Sequence, residues 1–149
     1  MSKVWFTTGA GRGIGAEIAH AALAAGDRVV AAGRNLAQLN TTFAAADPAR
    51  VALVALDVAQ EAQAPGAIDA ALARFGRTAV LVNNAAYGLL GNFEELSPQE
   101  IEQQFQVNVF GVMHVLRAAL PVLRKQRAGH VLDLGRKRRL LAGDLHRRQ

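Results

Sequence analysis

Short runs dominated by apolar residues alternate along this chain with longer stretches whose apolar residues recur every three or four positions. The first run fills residues 3–7 around Val4-Trp5-Phe6, and others fall at 29–32, 51–56, 79–86 and 129–134. Runs without polar alternation suit strands buried on both faces, as in a parallel sheet. The stretches between them predict helices. In the first, from Ile14 to Gly26, Ile14, Ile18, Ala21, Ala22 and Ala25 share one face, with Glu17 and a solvent-facing His20 on the other. A second helix covers 36–46 and ends at Asp47-Pro48, and a third covers 67–75 and stops at Gly76. Ser97-Pro98-Gln99-Glu100 starts a long fourth helix, with a cap, a proline in the first turn and a reciprocal carboxylate. Its apolar pattern runs through Val107, Val109, Phe110, Val112, Met113, Leu116 and Leu120, while Glu94, Glu95, Glu100 and Glu102 form a solvated acidic face. His114 and Pro121 add only packing and a bend. Strand and helix alternating in this way imply an α/β fold, a doubly wound parallel sheet with right-handed crossovers in three layers.

Composition narrows this. A chain of 149 residues that is 51% hydrophobic is long enough to bury a core, and its lack of cysteine excludes disulfides and thiolate metal sites. No metal site is expected. No stretch approaches membrane-spanning length and the start has no long apolar segment, so a soluble cytoplasmic protein without a membrane partner is expected. The net charge of +5 suggests nucleic acid until it is located. Arg136, Lys137, Arg138, Arg139, Arg147 and Arg148 against Asp144 account for all of it. Residues 1–135 balance at zero, which argues against a nucleic-acid-binding domain.

The chemistry starts at Thr8-Gly9-Ala10-Gly11-Arg12-Gly13-Ile14-Gly15, between the first strand and the first helix. Glycines there remove the Cβ atoms that would keep a pyrophosphate away, and the free amides of the helix that begins near Ile14 face the anion. At the end of the second strand, where an acid would accept from the ribose 2′-hydroxyl of NAD, the chain has Arg34. Arg34 and Arg12 together fit the 2′-phosphate of NADP, against the plainer reading of two solvated arginines. Asp57-Val58 follows the third strand, and locally Asp57 reads equally as a ligand to adenine or as a turn residue. Asn83-Asn84-Ala85 closes the fourth strand at a place that lines a ligand crevice.

The order and spacing of these pieces resemble the short-chain dehydrogenases/reductases. That family's T-G-x-x-x-G-x-G signature is filled by Thr8, Gly9, Gly13 and Gly15. The resemblance implies strand order 3-2-1-4-5, with NADP preferred over NAD because Arg12 and Arg34 are basic. It implies that Asp57 accepts from the adenine amine beside Val58. It makes Asn83-Asn84-Ala85 part of an N-N-A-G motif, in which Ala86 replaces the glycine and adds a methyl group. Asn108, within Asn108-Val109-Phe110-Gly111, would hold a water of the proton relay, and a mid-helix Asn agrees with a special role.

The resemblance stops after the fifth strand. There the family has a serine pair and then a Tyr-x-x-x-Lys segment. Here the serine positions read Gly135-Arg136, the only serines are Ser2 and Ser97, and the only tyrosine is Tyr87. The expectation is therefore an incomplete nucleotide-binding domain at 1–135 and a basic, disordered tail at 136–149. The tail reads as a solvated extension, as a segment for nucleic acid or an acidic surface, or as an out-of-frame reading of GC-rich DNA. An NADP-dependent oxidoreductase acting on a carbonyl or secondary alcohol is implied, nearly inactive in this form. The alternative is a catalytically dead NADP-binding or interaction module. The incomplete fold is expected to self-associate or form a homo-oligomer through an exposed edge strand and the uncovered face of the long helix.

Overall fold

A computed structural model describes residues 1–135. The expectations for the basic tail lie outside the described residues. Five strands form one sheet in the order β3-β2-β1-β4-β5, every neighbouring pair parallel. The strands are β1 (Val4–Thr8), β2 (Arg28–Gly33), β3 (Val51–Ala55), β4 (Val80–Asn83) and β5 (His130–Asp133). The chain winds outward from β1 to β3, then returns to place β4 on the other side of β1. The crevice above the carboxyl ends of β1 and β4 is thus the point where the winding reverses.

Successive residues of β2 show why the strands carry no polar alternation. Val29 and Ala31 pack into a core with Ala19, Ala22, Leu39 and Phe43 on one side of the sheet. Val30 and Ala32 pack on the other side with Ile68, Ala71, Leu81 and Val115. Helices α1 (Gly13–Ala24) and α2 (Leu36–Thr42) cover the first side, and α3 (Gln63–Phe75) lies on the second.

Two helical readings change. Helix α1 buries Gly15, Ala16, Ala19 and Ala22, rather than the face built on Ile14, Ile18, Ala21 and Ala25. Small residues let its first turn approach the strand ends closely, and that approach sets its rotation, leaving Ile14 55% exposed. His20 is on the surface as expected, its ring 4.9 Å from that of Phe43. The long helix is a rod of 29 residues made of α4 (Pro98–Phe105), a π-helical segment (Gln106–Phe110) and α5 (Gly111–Gln126). By length and composition this rod meets the requirement for crossing a membrane, contrary to the expectation that no stretch approaches it. In this fold it is a flanking helix, with Val107, Val115, Ala119 and Leu123 buried. Its other face leaves Phe105, Val109, Phe110, Met113 and Leu120 exposed. At its start Ser97 Oγ accepts from the Glu100 amide at 3.2 Å, and Glu100 accepts from the Ser97 amide at 2.8 Å. The amide and hydroxyl of Ser97 hold the Glu100 carboxyl below its ordinary range.

At the opposite end of the sheet from the crevice, Asp27 ties β1 to β2. Its carboxylate accepts from the Lys3 amide and from Trp5 Nε1, each at 2.8 Å. Arg50 donates to the carbonyls of Asp27 and Leu23. Partial burial pushes the Asp27 carboxyl up, but the Lys3 and Trp5 hydrogen bonds with the charges of Lys3 and Arg50 outweigh it and leave it lowered. A lowered folded value means stability that is present above the unfolded value and lost as pH falls through the folded one. Asp27→Asn is therefore expected to destabilise the chain at pH 7, with the difference shrinking below about pH 4. Urea unfolding followed by Trp5 emission at several pH values checks this; a difference constant from neutral to acid pH would contradict it.

Candidate functional site

Thr8 is the knot of the site. Its hydroxyl oxygen accepts from the amides of Asn84 and Ala85 at 3.1 and 3.0 Å, and its proton points to the Val82 carbonyl at 3.4 Å. Asn84 answers from just beyond β4: its Nδ2 donates to the carbonyls of Thr8 and Gly9 at 3.0 and 3.1 Å. Both side chains are buried. The carboxyl ends of β1 and β4 are thereby joined by hydrogen bonds that need a hydroxyl at one position and an amide at the other.

The loop that leaves this knot turns through Gly9 and Gly13, whose φ values of +64° and +57° belong to the left-handed region. On its other side Thr42 of α2 donates to the Gly11 carbonyl at 2.7 Å, and the Gln38 side chain lies against Gly11. Helix α1 then begins with Arg12 at its N-cap, no capping side chain and no acid in its first turn. Its first amides are left for an external acceptor, with the positive end of the helix dipole behind them.

A cleft of about 660 Å³ opens above this loop. Gly9, Gly11, Arg12, Gly13 and Ile14 line it from the loop, Arg34 from the end of β2, Asp57 and Val58 from beyond β3, and Asn84 and Ala85 from beyond β4. Residues 76 positions apart in sequence are thus hydrogen-bonded at one site. Among the described residues Asp57 is the only acid on its wall, and both arginines are exposed there. Asp57 also makes a local turn, accepting from the Ala59 amide at 3.0 Å. The two readings of this residue are compatible, because a carboxylate has lone pairs to spare.

Four candidates support the cleft without lining it. Thr8 and Gly15 lie beneath it. Asn83 points to β5, donating to Asp133 at 2.7 Å. Asn108 sits in the π-helical segment, where its side chain accepts from the Tyr87 amide at 3.0 Å and donates to the Tyr87 carbonyl at 2.7 Å. In this arrangement it fixes the loop after β4. The extra residue in a π turn re-aims a side chain. Asn35, Gln38, Leu56, Tyr87 and Val107 also line the cleft and were not singled out in the sequence. Asn35 and Gln38 follow Arg34 closely, so a helix starting at a binding strand's end was the available signal for them.

A cradle of glycine backbone at an uncapped helix start, at the reversal point of a parallel sheet, defines a Rossmann-like nucleotide-binding protein. The family model for short chain dehydrogenase matches residues 3–135, and the chain belongs to that family. It is 39% identical to oxidoreductase BOA17 of Botryotinia fuckeliana over 134 residues, 90% of this chain and 49% of that protein. A short-chain dehydrogenase/reductase from Burkholderia phymatum, solved in complex with NAD, superposes with a TM-score of 0.80 at 36% identity, over 89% of this chain and 48% of that one. An alcohol dehydrogenase from the archaeon Thermococcus sibiricus, solved with 5-hydroxy-NADP, gives 0.83 at 32% identity, over 89% and 57%. The chain thus spans about half the length of the relatives it matches.

Proposed function

We propose that the chain is the NADP-binding part of a cytoplasmic oxidoreductase acting on a carbonyl or secondary alcohol. One observation carries the cofactor preference: Arg12 and Arg34 line one cleft, and no acid stands at the end of β2 to receive a ribose 2′-hydroxyl. Two forked guanidiniums suit a 2′-phosphate dianion. The amides of α1 suit the pyrophosphate, Asp57 and Val58 the adenine, and Asn84 and Ala85 hold the loop against which the nicotinamide half would lie. NADPH, when bound, supplies the hydride. The protein's share is to bind and orient it, and through Asn108 to hold the Tyr87 loop beside it.

The 149 residues hold no Tyr-x-x-x-Lys segment to pass the alcohol proton. Loss of general acid–base groups costs about 10²–10⁴-fold in rate, so strong binding with very slow turnover is the proposed behaviour. The exposed apolar face of the long helix supports self-association into a homo-oligomer. A catalytically dead binding module is the second reading, and a panel of ketones with NADPH separates the two.

The cofactor reading is tested by calorimetric titration with NADPH and NADH, because Trp5 lies near the far end of β1 from the cleft. NADPH is expected to bind more tightly. Arg34→Ala is expected to weaken NADPH about 10–100-fold, the worth of a charge-assisted contact, and to leave NADH nearly unchanged. Equal losses for both nucleotides would refute the assignment of Arg34 to the 2′-phosphate.

A further inference from the structure

We infer that His114 is a positioning residue for the adenine side of the cleft, acting through the main chain of Val58. The inference rests on the dinucleotide reading above and adds a residue that does not touch the cleft. His114 Nδ1 lies 2.8 Å from the Val58 carbonyl oxygen, across 56 residues of sequence. A carbonyl can only accept, so Nδ1 carries the proton in this contact. The imidazole is largely enclosed, with 14% of its side chain exposed, so the bond is shielded from competing water.

The same helix holds Val58 a second way. A Cβ on Gly111 would lie 2.7 Å from Val58 Cγ2, so only glycine lets α5 close against that side chain. Farther along, Arg117 donates to Glu61 at 2.8 Å and draws the rest of this loop toward α5. The turn between these anchors is braced by its own hydrogen bonds. The Asp57 amide donates to Gln63 Oε1 at 2.9 Å, and the Asp57 carboxylate accepts from the Ala59 amide. The direction of the Asp57 carboxylate is therefore set by the backbone of 57–59, and that backbone is pinned at Val58 by His114. Asp57 and Val58 line the cleft, and His114 does not. Side chain and ligand are coupled through one carbonyl.

The experiment uses the full chain, NADPH, and the analogue whose adenine is replaced by hypoxanthine. Hypoxanthine has a carbonyl oxygen where adenine has its amine, so the C6 substituent can no longer donate to Asp57 and would face its carboxylate with an acceptor. The wild type is expected to prefer NADPH about tenfold, the worth of one hydrogen bond to a charged acceptor. His114→Leu is expected to reduce that preference to about twofold or less, by freeing the 57–59 turn. His114→Asn, whose amide can occupy the place of Nδ1, is expected to restore it. A merely structural histidine would lower the melting temperature without changing the ratio between the two nucleotides. If His114→Leu does not fold, His114→Phe, a ring of similar size with no donor, takes its place. A full tenfold preference in the Leu or Phe variant overturns the inference and leaves the dinucleotide reading intact. Equal binding of the two nucleotides by the wild type overturns the Asp57 contact and this inference with it. No binding of NADPH by a folded wild type overturns the dinucleotide reading itself.

Discussion

Gly15→Ala is expected to cost about 2–4 kcal/mol of stability and to abolish nucleotide binding, although it adds a single methyl group. A Cβ at this position would run into Asn84 Nδ2 and the Gly9 carbonyl, far inside contact distance. Neither neighbour can yield cheaply. Asn84 is buried and donates to Thr8 and Gly9, and Gly9 is main chain already in the left-handed region. The methyl must push α1 off the strand ends or break the Asn84 bonds, and both displace the amides that face the cleft. Gly13→Ala is the control. A Cβ there meets nothing within 4 Å, so only the φ of +57° opposes it, at about 1–2 kcal/mol. Urea unfolding of the two variants, with NADPH titration of whatever folds, compares them. A Gly15→Ala protein as stable as Gly13→Ala would show that α1 can shift freely, contrary to the close approach seen here.

Thr8→Val is expected to cost about 2–5 kcal/mol while preserving side-chain volume. The hydroxyl oxygen is the partner of two amides, Asn84 and Ala85, where the carboxyl ends of β1 and β4 are tied beyond their ladder. Valine fills the space and accepts nothing, so both amides lose their partner with no route to water at Thr8, which is 2% exposed. An unsatisfied buried donor costs about 1–3 kcal/mol, and there are two. Thr8→Ser keeps the oxygen and is expected to retain most of the stability and the NADPH affinity. Unfolding midpoints of the Val and Ser variants decide. Equal loss in both would assign the role of Thr8 to its methyl group rather than its oxygen.

These two residues show what was legible. Thr8 and Gly15 stand out by spacing, because a tight glycine turn between a strand and a helix constrains neighbours along the chain. The inner strands β1, β2 and β4 were readable from runs such as 29–32, since burial on both faces leaves no room for polar alternation; β5 at the sheet edge has all four residues exposed, contrary to the expectation of a strand buried on both faces. The boundaries moved where local pattern was weakest. The third helix starts at Gln63 instead of Ala67, with Pro65 in its first turn, and the second ends at Thr42 rather than Ala46. The rotation of α1 departs from the sequence pattern because the periodicity is carried by large side chains, while the sheet selects small ones at a close contact. His114 carried no signal. Its partner is a main-chain carbonyl, which has no sequence identity to be recognised.

The sequence alone determined the class of fold, the glycine turn, the pair of arginines and the family to which they belong. Those properties follow from residue type and local spacing, so they can be read along a line. The tertiary structure decided which candidates meet at the cleft and which only support it. It turned Asn83 toward Asp133 and placed Asn108 on the Tyr87 backbone through a π-helical turn. It also drew Val58 under His114. Each of these is a directional hydrogen bond between segments far apart in the chain, and its geometry exists only once the sheet has set the distance between them.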